Sequence, residues 1–201
     1  MARVTDVFVA PAGSEPMESV DRVEALADAG LRGDRYCTGE GHYAPFDTCQ
    51  VTLVDAAAVG AVERETGIDL TAGQHRRNLV VEGLDVHDLL DHRFRVGEAT
   101  FVGTRPRPPC AHVEELADQE GVARALGDGR GGICADVVEG GSVAVGDAVT
   151  DLGSRDRTDA IVERLRSEES VQRSAVPFPV AAAAAPYHSG RSTVVDPTRV
   201  T

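Results

Sequence analysis

The sequence predicts a β-rich barrel or α+β domain, mostly β with a few helices, that occupies residues 1–152. Three observations lead to this prediction. Valine, which favours strands, is abundant throughout these residues. Many short apolar segments are separated by glycine and proline turns, and few helical segments interrupt them. Strands and helices do not alternate regularly, which argues against repeated βαβ units.

The individual elements follow from apolar patterning and from turn residues. Strands are predicted at residues 3–10, 19–27, 49–54, 77–82, 93–96, 98–104, 133–139 and 143–150. Helices are predicted at residues 55–66, 86–91 and 112–126, and the second of these is short. Aromatic residues make up only 4% of the chain and tryptophan is absent, so the core must be built from Val, Leu, Ala and Ile.

Glycines and prolines mark where the later strands end. Gly97 predicts a tight turn within the alternating stretch 94–102, and three prolines at 106, 108 and 109 are expected to stop sheet pairing because proline has no backbone donor. Gly140-Gly141 predicts a hairpin turn between two Val-rich strands. Gly146-Asp147 predicts a further turn or bulge.

Beyond Leu152 the composition changes, and residues 153–201 are predicted to be a tail. A charged stretch at residues 155–170 could form one short helix. The Pro- and Ala-containing segment and the polar end that follow have too few apolar residues to offset the entropy of ordering the chain. We therefore expect disorder after that helix.

Charge and composition exclude several classes of protein. The net charge is -13, which argues against binding nucleic acid through its phosphates. All 20 basic residues are arginine, because the chain contains no lysine. A pyridoxal phosphate enzyme needs a lysine for its aldimine, and a P-loop needs one for its phosphates. Neither mechanism is therefore expected here.

Four cysteines indicate a reducing compartment, and we expect a cytoplasmic protein. They form no Cys-x-x-Cys pair, and the sequence shows no signal peptide and no apolar run long enough to span a membrane. The spacing of Cys37, His42 and Cys49 matches no common structural zinc pattern. Cys134 lies inside an apolar strand and is predicted to be a core residue.

Cys110 is the leading candidate for chemistry. It follows the three prolines and precedes a predicted helix, so its thiol is expected on a stiff loop at a helix N-terminus. Arg105, Arg107 and His112 are close to it in sequence. This setting favours a thiolate, which is the reactive and metal-binding form of cysteine. The alternative is a small side chain without a partner at a loop-to-helix joint.

Three polar segments could bind a phosphorylated or otherwise anionic ligand through arginine forks and glycine-rich backbone. They are Arg76-Arg77-Asn78, Asp34-Arg35 and Arg130-Gly131. Each has a structural alternative. The first could be a surface arginine pair that forms ion pairs with nearby acidic residues, and the second could be a structural Asp–Arg pair. The third could be a plain loop that follows a helix.

Taken together, these segments resemble the MOSC domain, the C-terminal domain of molybdenum cofactor sulfurases, which also occurs as small stand-alone proteins. The resemblance covers residues 19–152. The matching segments are Gly33-Asp34-Arg35, Gln50 to Val54, Gly73, Arg76-Arg77-Asn78-Leu79, Phe94 to Gly97, Gly103-Thr104-Arg105, Pro109-Cys110, Arg130 to Gly132 and Gly146-Asp147. Each is weak alone, and their order and spacing together are specific.

The resemblance implies a MOSC-type β-barrel in which Cys110 ligates molybdenum or carries sulfur as a persulfide. It implies a molybdenum cofactor, which is a pterin, surrounded by residues that can bind an anion: Arg76, Arg77, Asn78, Arg130, Gly131, Arg35 and Asp34. Relatives reduce N-hydroxylated compounds. The implied function is therefore a component of a molybdenum-dependent oxidoreductase that acts on such small molecules with a separate electron donor.

Two other functions are compatible with the same residues. A sulfur carrier would hold a persulfide on Cys110, supplied by a sulfur donor such as a cysteine desulfurase, and a binding module would have no catalysis. Nucleic acid, membranes and a pyridoxal phosphate aldimine are not expected in any of the three. Two positions depart from the family pattern, since Arg107 stands where relatives often have a second cysteine and Tyr36 where they often have histidine.

Overall fold

The computed structural model describes residues 1–41 and 49–155 of the chain. Its strands are β1 (Arg3–Val9), β2 (Glu18–Val20), β3 (Arg22–Leu26), β4 (Gly30–Leu31), β5 (Val51–Asp55), β6 (Leu79–Glu82), β7 (His92–Val96), β8 (Ala99–Pro106), β9 (Ile133–Glu139), β10 (Gly141–Ala144) and β11 (Val149–Ser154). Its helices are α1 (Arg35–Thr38), α2 (Ala56–Thr66), α3 (Ala111–Ala117), α4 (Val122–Ala125) and a 3-10 turn at Val86–Leu89.

Eight of the strands form one curled sheet, in the order β11-β7-β8-β9-β5-β6-β1-β2. Neighbouring strands are antiparallel except β5 and β6, which are parallel and connected through α2. Residues just before β11 return to β1, where the Val4 amide donates to the Asp147 carbonyl at 2.9 Å and an isolated bridge joins Arg3 to Ala148. The mostly β, barrel-like fold predicted from the sequence is confirmed.

The core fills the inside of the curled sheet and consists mainly of small apolar residues, as the composition predicted. Val7, Leu53 and Leu79 are among its fully buried members. Phe94 and Phe101 stack there with their ring centroids 5.5 Å apart. A second apolar cluster lies among α2, α3 and α4. Cys134 is fully buried in β9, as its place in an apolar strand predicted.

Two predicted strand arrangements were wrong. Residues 19–27 form two strands rather than one, because β2 pairs with β1 in the large sheet while β3 pairs with β4 and β10 in a separate three-stranded sheet. The hairpin predicted at Gly140-Gly141 does not form, since β9 pairs with β5 and β8 instead of β10. A side chain at Gly141 would collide with the backbone of Glu98. Glycine at this position therefore allows the two backbones to pack closely, and it does not form a hairpin turn.

The region around Cys110 also differs from the prediction in two ways. The helix expected at residues 112–126 is interrupted at Asp118, which has φ 49° and ends α3. Strand β8 continues through Arg105 and Pro106, which lie opposite Cys134 and Ile133, so the first proline does not stop the pairing. A bulge between Gly103 and Arg105 shifts the register there.

Several predictions concern residues outside the described part of the chain. These are the tail and its short helix at residues 155–170, apart from Arg155, and the position of His42. Among residues 1–41 and 49–155, no helix combines the length and the apolar character needed to cross a membrane.

Candidate functional site

The Cys110 loop leaves the sheet at the end of β8 and leads directly into α3. The Arg107 amide still donates to the Gly132 carbonyl at 2.7 Å, so the loop is held to the sheet up to that residue. Pro108 and Pro109 then limit the backbone, and Cys110 takes the N-cap position of α3 with an extended φ of -135°. Its side chain caps no helix amide and is partly exposed. The thiol therefore lies between a strand and the start of a helix, as the sequence predicted.

The thiol borders a pocket of about 230 Å³. Its lining residues are Gly13, Arg35, Tyr36, Arg76, Arg77, Arg105, Arg107, Pro108, Pro109, Cys110, His112, Val113 and Leu116. Five of these are arginines, and none is Asp or Glu among the residues the structure describes. In a chain of net charge -13, such a lining concentrates positive charge at one place.

Arg77 is buried behind the pocket and ties the Cys110 loop to the sheet. Its Nε donates to the Gly131 carbonyl at 2.6 Å, and its two terminal nitrogens donate to the carbonyls of His75 and Arg107 at 2.8 and 3.2 Å. All three nitrogens therefore bond to the backbone. Such a guanidinium fixes the walls of the pocket while it keeps its full charge.

Arg76 makes a similar connection to a different loop. Its terminal nitrogens donate to the carbonyls of Glu15 and of Gly13, the latter at 2.8 Å, and so tie down the loop after β1. Its backbone has φ 62°, an unusual conformation for a residue other than glycine. This conformation lets two consecutive arginines, Arg76 and Arg77, both reach the pocket.

Neither buried arginine has a carboxylate partner among the described residues. Burial, followed by the charge of the nearby Arg107, lowers the pKa of Arg77 to about 10. Burial and then the charge of Arg35 lower the pKa of Arg76 to about 10 as well. Both remain protonated at neutral pH. Because unpaired buried charge is costly, the pocket has a strong electrostatic preference for an anion.

Asp34 and Arg35 form a buried ion pair, in agreement with the structural alternative for this segment. One Arg35 terminal nitrogen lies 3.0 Å from Asp34 Oδ2, and the other donates to the Arg76 carbonyl at 3.0 Å. Asp34 also accepts hydrogen bonds from the amides of Ala10 and Tyr36. Asp34 does not line the pocket, whereas Arg35 does.

Asn78 lies just before β6 and does not line the pocket. Its Oδ1 accepts from the amide and the hydroxyl of Thr52, at 3.1 and 2.8 Å. Its Nδ2 donates to the Phe8 carbonyl at 3.1 Å and to Asp34 Oδ2 at 2.9 Å. The amide group is fully engaged with the protein, so Asn78 holds the scaffold that carries Arg76 and Arg77.

Arg130 and Gly131 are also placed away from the pocket lining. Arg130 pairs with Glu65 at 2.7 Å on the surface. Gly131 contributes its carbonyl to Arg77, and a side chain at this position would collide with the Arg107 carbonyl. Gly131 thus acts through close packing of two loops. Among the predicted site residues, the structure brings Cys110, Arg35, Arg76 and Arg77 to the pocket.

Four polar side chains of the lining were absent from the predicted cofactor site: Tyr36, Arg105, Arg107 and His112. The Arg107 guanidinium donates to the Tyr36 hydroxyl at 2.9 Å, although the two residues are 71 positions apart. The Tyr36 ring also lies against Arg35, with the guanidinium carbon 4.6 Å from the ring centroid. Tyr36 and Arg107 are the two positions that depart from the family pattern, and their contact was not visible in the sequence.

His75 is buried next to the arginine pair and contacts the backbone of Arg77. Its Nδ1 accepts from the Arg77 amide at 2.9 Å, which places the ring proton of the neutral form on Nε2. The ring packs edge-on against Phe8. Burial, followed by the charge of Arg77, lowers the pKa of His75 to about 3. The imidazole is therefore neutral at physiological pH and adds no charge to the site.

The MOSC domain model matches residues 38–150, which is more than half of the chain. The chain belongs to the MOSC domain family. The match contains the Cys110 loop and the two buried arginines of the pocket, and it begins at Thr38, the last residue of α1. No curated protein matches the chain.

Solved structures of MOSC-type proteins share this fold. YuaD from Bacillus subtilis superposes with a TM-score of 0.60 at 20% identity, over 74% of this chain and 94% of its own. YiiM from Geobacillus stearothermophilus gives 0.60 at 16% identity, over 86% and 89% of the two chains. YiiM from Escherichia coli gives 0.58 at 21%, over 80% and 77%. At these identities the likeness establishes the fold alone.

Proposed function

We propose that this MOSC domain protein binds a molybdenum cofactor and serves as a component of an oxidoreductase that acts on N-hydroxylated or similar small molecules. The observation that carries the proposal is the pocket. It brings one thiol, Cys110, together with two buried guanidiniums, Arg76 and Arg77, that have no carboxylate partner in the part of the chain that the structure describes. The family membership of the chain agrees with a molybdenum-related role.

The residues present suit this cofactor. A soft thiolate suits molybdenum, and arginines suit the phosphate group of a pterin cofactor. Cys110 would hold the metal, while Arg76 and Arg77 would hold the anionic part. When bound, the cofactor would supply the two-electron chemistry. Anchored by backbone carbonyls on both sides, the two guanidiniums need little reorganisation to receive an anion.

A second part of the pocket lining would receive the substrate. Pro108, Pro109, Val113 and Leu116 make it apolar and would exclude water from the reacting group. Reduction of an N-hydroxyl group consumes two electrons and two protons and releases the amine and water. The electrons must come from a separate donor protein.

We place the protein in the cytoplasm, because its four cysteines are not joined by disulfides and that compartment keeps thiols reduced.

A second candidate function is sulfur transfer. Cys110 is partly exposed at the border of the pocket, so a sulfur donor such as a cysteine desulfurase could reach its thiol. The thiol would then carry a persulfide for the assembly of a metal–sulfur cofactor. Both candidates need Cys110, and they differ in what it holds.

Purification from a host that makes the cofactor distinguishes them. The full chain is isolated without oxygen, and its molybdenum, pterin and intact mass are measured beside Cys110→Ala and Cys37→Ala. Cys37 is the matched control, because it is also partly exposed and lies outside the pocket. Molybdenum that is lost only in Cys110→Ala supports the oxidoreductase component. A persulfide on Cys110 without molybdenum supports the sulfur carrier. If neither molybdenum nor a persulfide is found, both candidates are wrong and the protein is a binding module.

A further inference from the structure

We propose that the Tyr36 hydroxyl is the group that recognises the N-hydroxyl oxygen of the substrate, and that Arg107 holds it in place for this purpose. The inference rests on the proposed function for its class of substrate. Tyr36 lines the same pocket as Cys110, and its oxygen accepts a hydrogen bond from Arg107 at 2.9 Å. The structure thereby fixes a hydroxyl group in the pocket that the thiol also lines.

The Tyr36 hydroxyl keeps its own hydrogen for a ligand. Its oxygen acts as an acceptor toward Arg107, and no described residue accepts its proton. A phenol oxygen has a second lone pair as well, so this group can donate to a ligand and accept from it. Burial raises the pKa of Tyr36, which keeps the hydroxyl protonated across the neutral range. Its hydrogen-bonding capacity is therefore constant at physiological pH.

The surrounding side chains have a different chemistry. Guanidiniums only donate hydrogen bonds, which matches an anion, whereas a neutral N-hydroxyl group both donates and accepts. Within the described lining, Tyr36 is the one hydroxyl-bearing side chain. It is held on two sides, by the Arg107 hydrogen bond and by the Arg35 guanidinium against its ring. The pocket thus presents one fixed hydroxyl group among five arginines.

This arrangement separates substrate from product. The substrate carries the N-hydroxyl oxygen that Tyr36 can bind, and the amine product has lost it. The product therefore lacks this hydrogen bond and dissociates from the pocket more easily. Discrimination of this kind needs a hydroxyl at a fixed position, which the Arg107 contact provides.

The test compares two neutral probes that differ by that single oxygen, benzohydroxamic acid and benzamide. Their affinities for the full chain are measured by isothermal titration calorimetry in the Cys110→Ala background, so that a metal held by this thiol cannot chelate the hydroxamate. One hydrogen bond predicts that benzohydroxamic acid binds about fivefold tighter than benzamide. Tyr36→Phe should abolish the difference and leave benzamide binding unchanged. Tyr36→His, which restores a donor, should recover part of it.

Thr38→Val is the matched control, because it removes a hydroxyl from the same short helix outside the pocket. It should keep the full difference. Equal binding of the two probes to the parent chain, or an unchanged difference in Tyr36→Phe, would overturn the inference. Loss of benzamide binding in Tyr36→Phe would also overturn it, since Tyr36 would then support the pocket as a whole. Molybdenum content is measured separately in the chain that retains Cys110, so the proposed function can fail or stand independently of this result.

Discussion

Replacement of Asn78 by alanine should destabilise the fold while it leaves the pocket chemistry intact in the molecules that remain folded. The substitution removes four side-chain hydrogen bonds, two from Thr52 and one each to Phe8 and Asp34. At about 1 kcal/mol each, the loss is about 4 kcal/mol. Domains are stable by only about 5–15 kcal/mol, so the change is large.

Urea unfolding of the full chain measures the effect. With a slope of about 2 kcal/mol per molar, the midpoint should fall by about 2 M. Thr52→Val provides an independent check, because it removes a hydroxyl that donates to Asn78 Oδ1 and accepts from the Asn78 backbone amide, and it should cost about 1–2 kcal/mol. The two variants share a bond, so the double variant should lose about 1 kcal/mol less than the sum. An unchanged midpoint in Asn78→Ala together with lost molybdenum would refute the reasoning, because Asn78 would then contact the cofactor.

Three further outcomes are expected. The folded-state pKa of His75, about 3, lies below its ordinary value of 6.5, so the unfolded chain binds a proton that the folded chain excludes and stability falls as the pH drops through this window. His75→Asn should reduce that slope by about 1.4 kcal/mol per pH unit in unfolding titrations, and equal slopes would contradict it. Arg77→Lys loses the guanidinium fork that holds the Cys110 loop, so alkylation of Cys110 by iodoacetamide should accelerate about fivefold, whereas Arg130→Lys on the surface should leave the rate unchanged. Gly132→Ala should cost about 2–4 kcal/mol in urea unfolding, because φ is 79° and the added carbon meets a backbone carbonyl; a loss below 1 kcal/mol would show that the loop adapts.

The sequence was most informative where a local rule acts alone. Valine-rich segments and glycine turns located most of the strands, and the prolines before Cys110 located the thiol between a strand and a helix. The errors occurred where pairing is decided between distant residues. The hairpin at Gly140-Gly141 satisfied local turn chemistry, but β10 found its partner in β3. Pro106 lacks a donor, yet it stays in the sheet because the bulge in β8 shifts its register against β9.

The sequence by itself determined the fold class, the family and the position of Cys110 between a strand and a helix, because these depend on residue order and on short-range pattern. The tertiary structure decided which polar residues face that thiol. The sequence assigned Asn78 the same anion-binding role as its neighbours Arg76 and Arg77. In the structure its side chain bonds to Thr52, Phe8 and Asp34 and does not line the pocket. Tyr36 and Arg107 came together across 71 positions. Side-chain direction and long-range contact depend on the register of the whole barrel, which no local segment specifies.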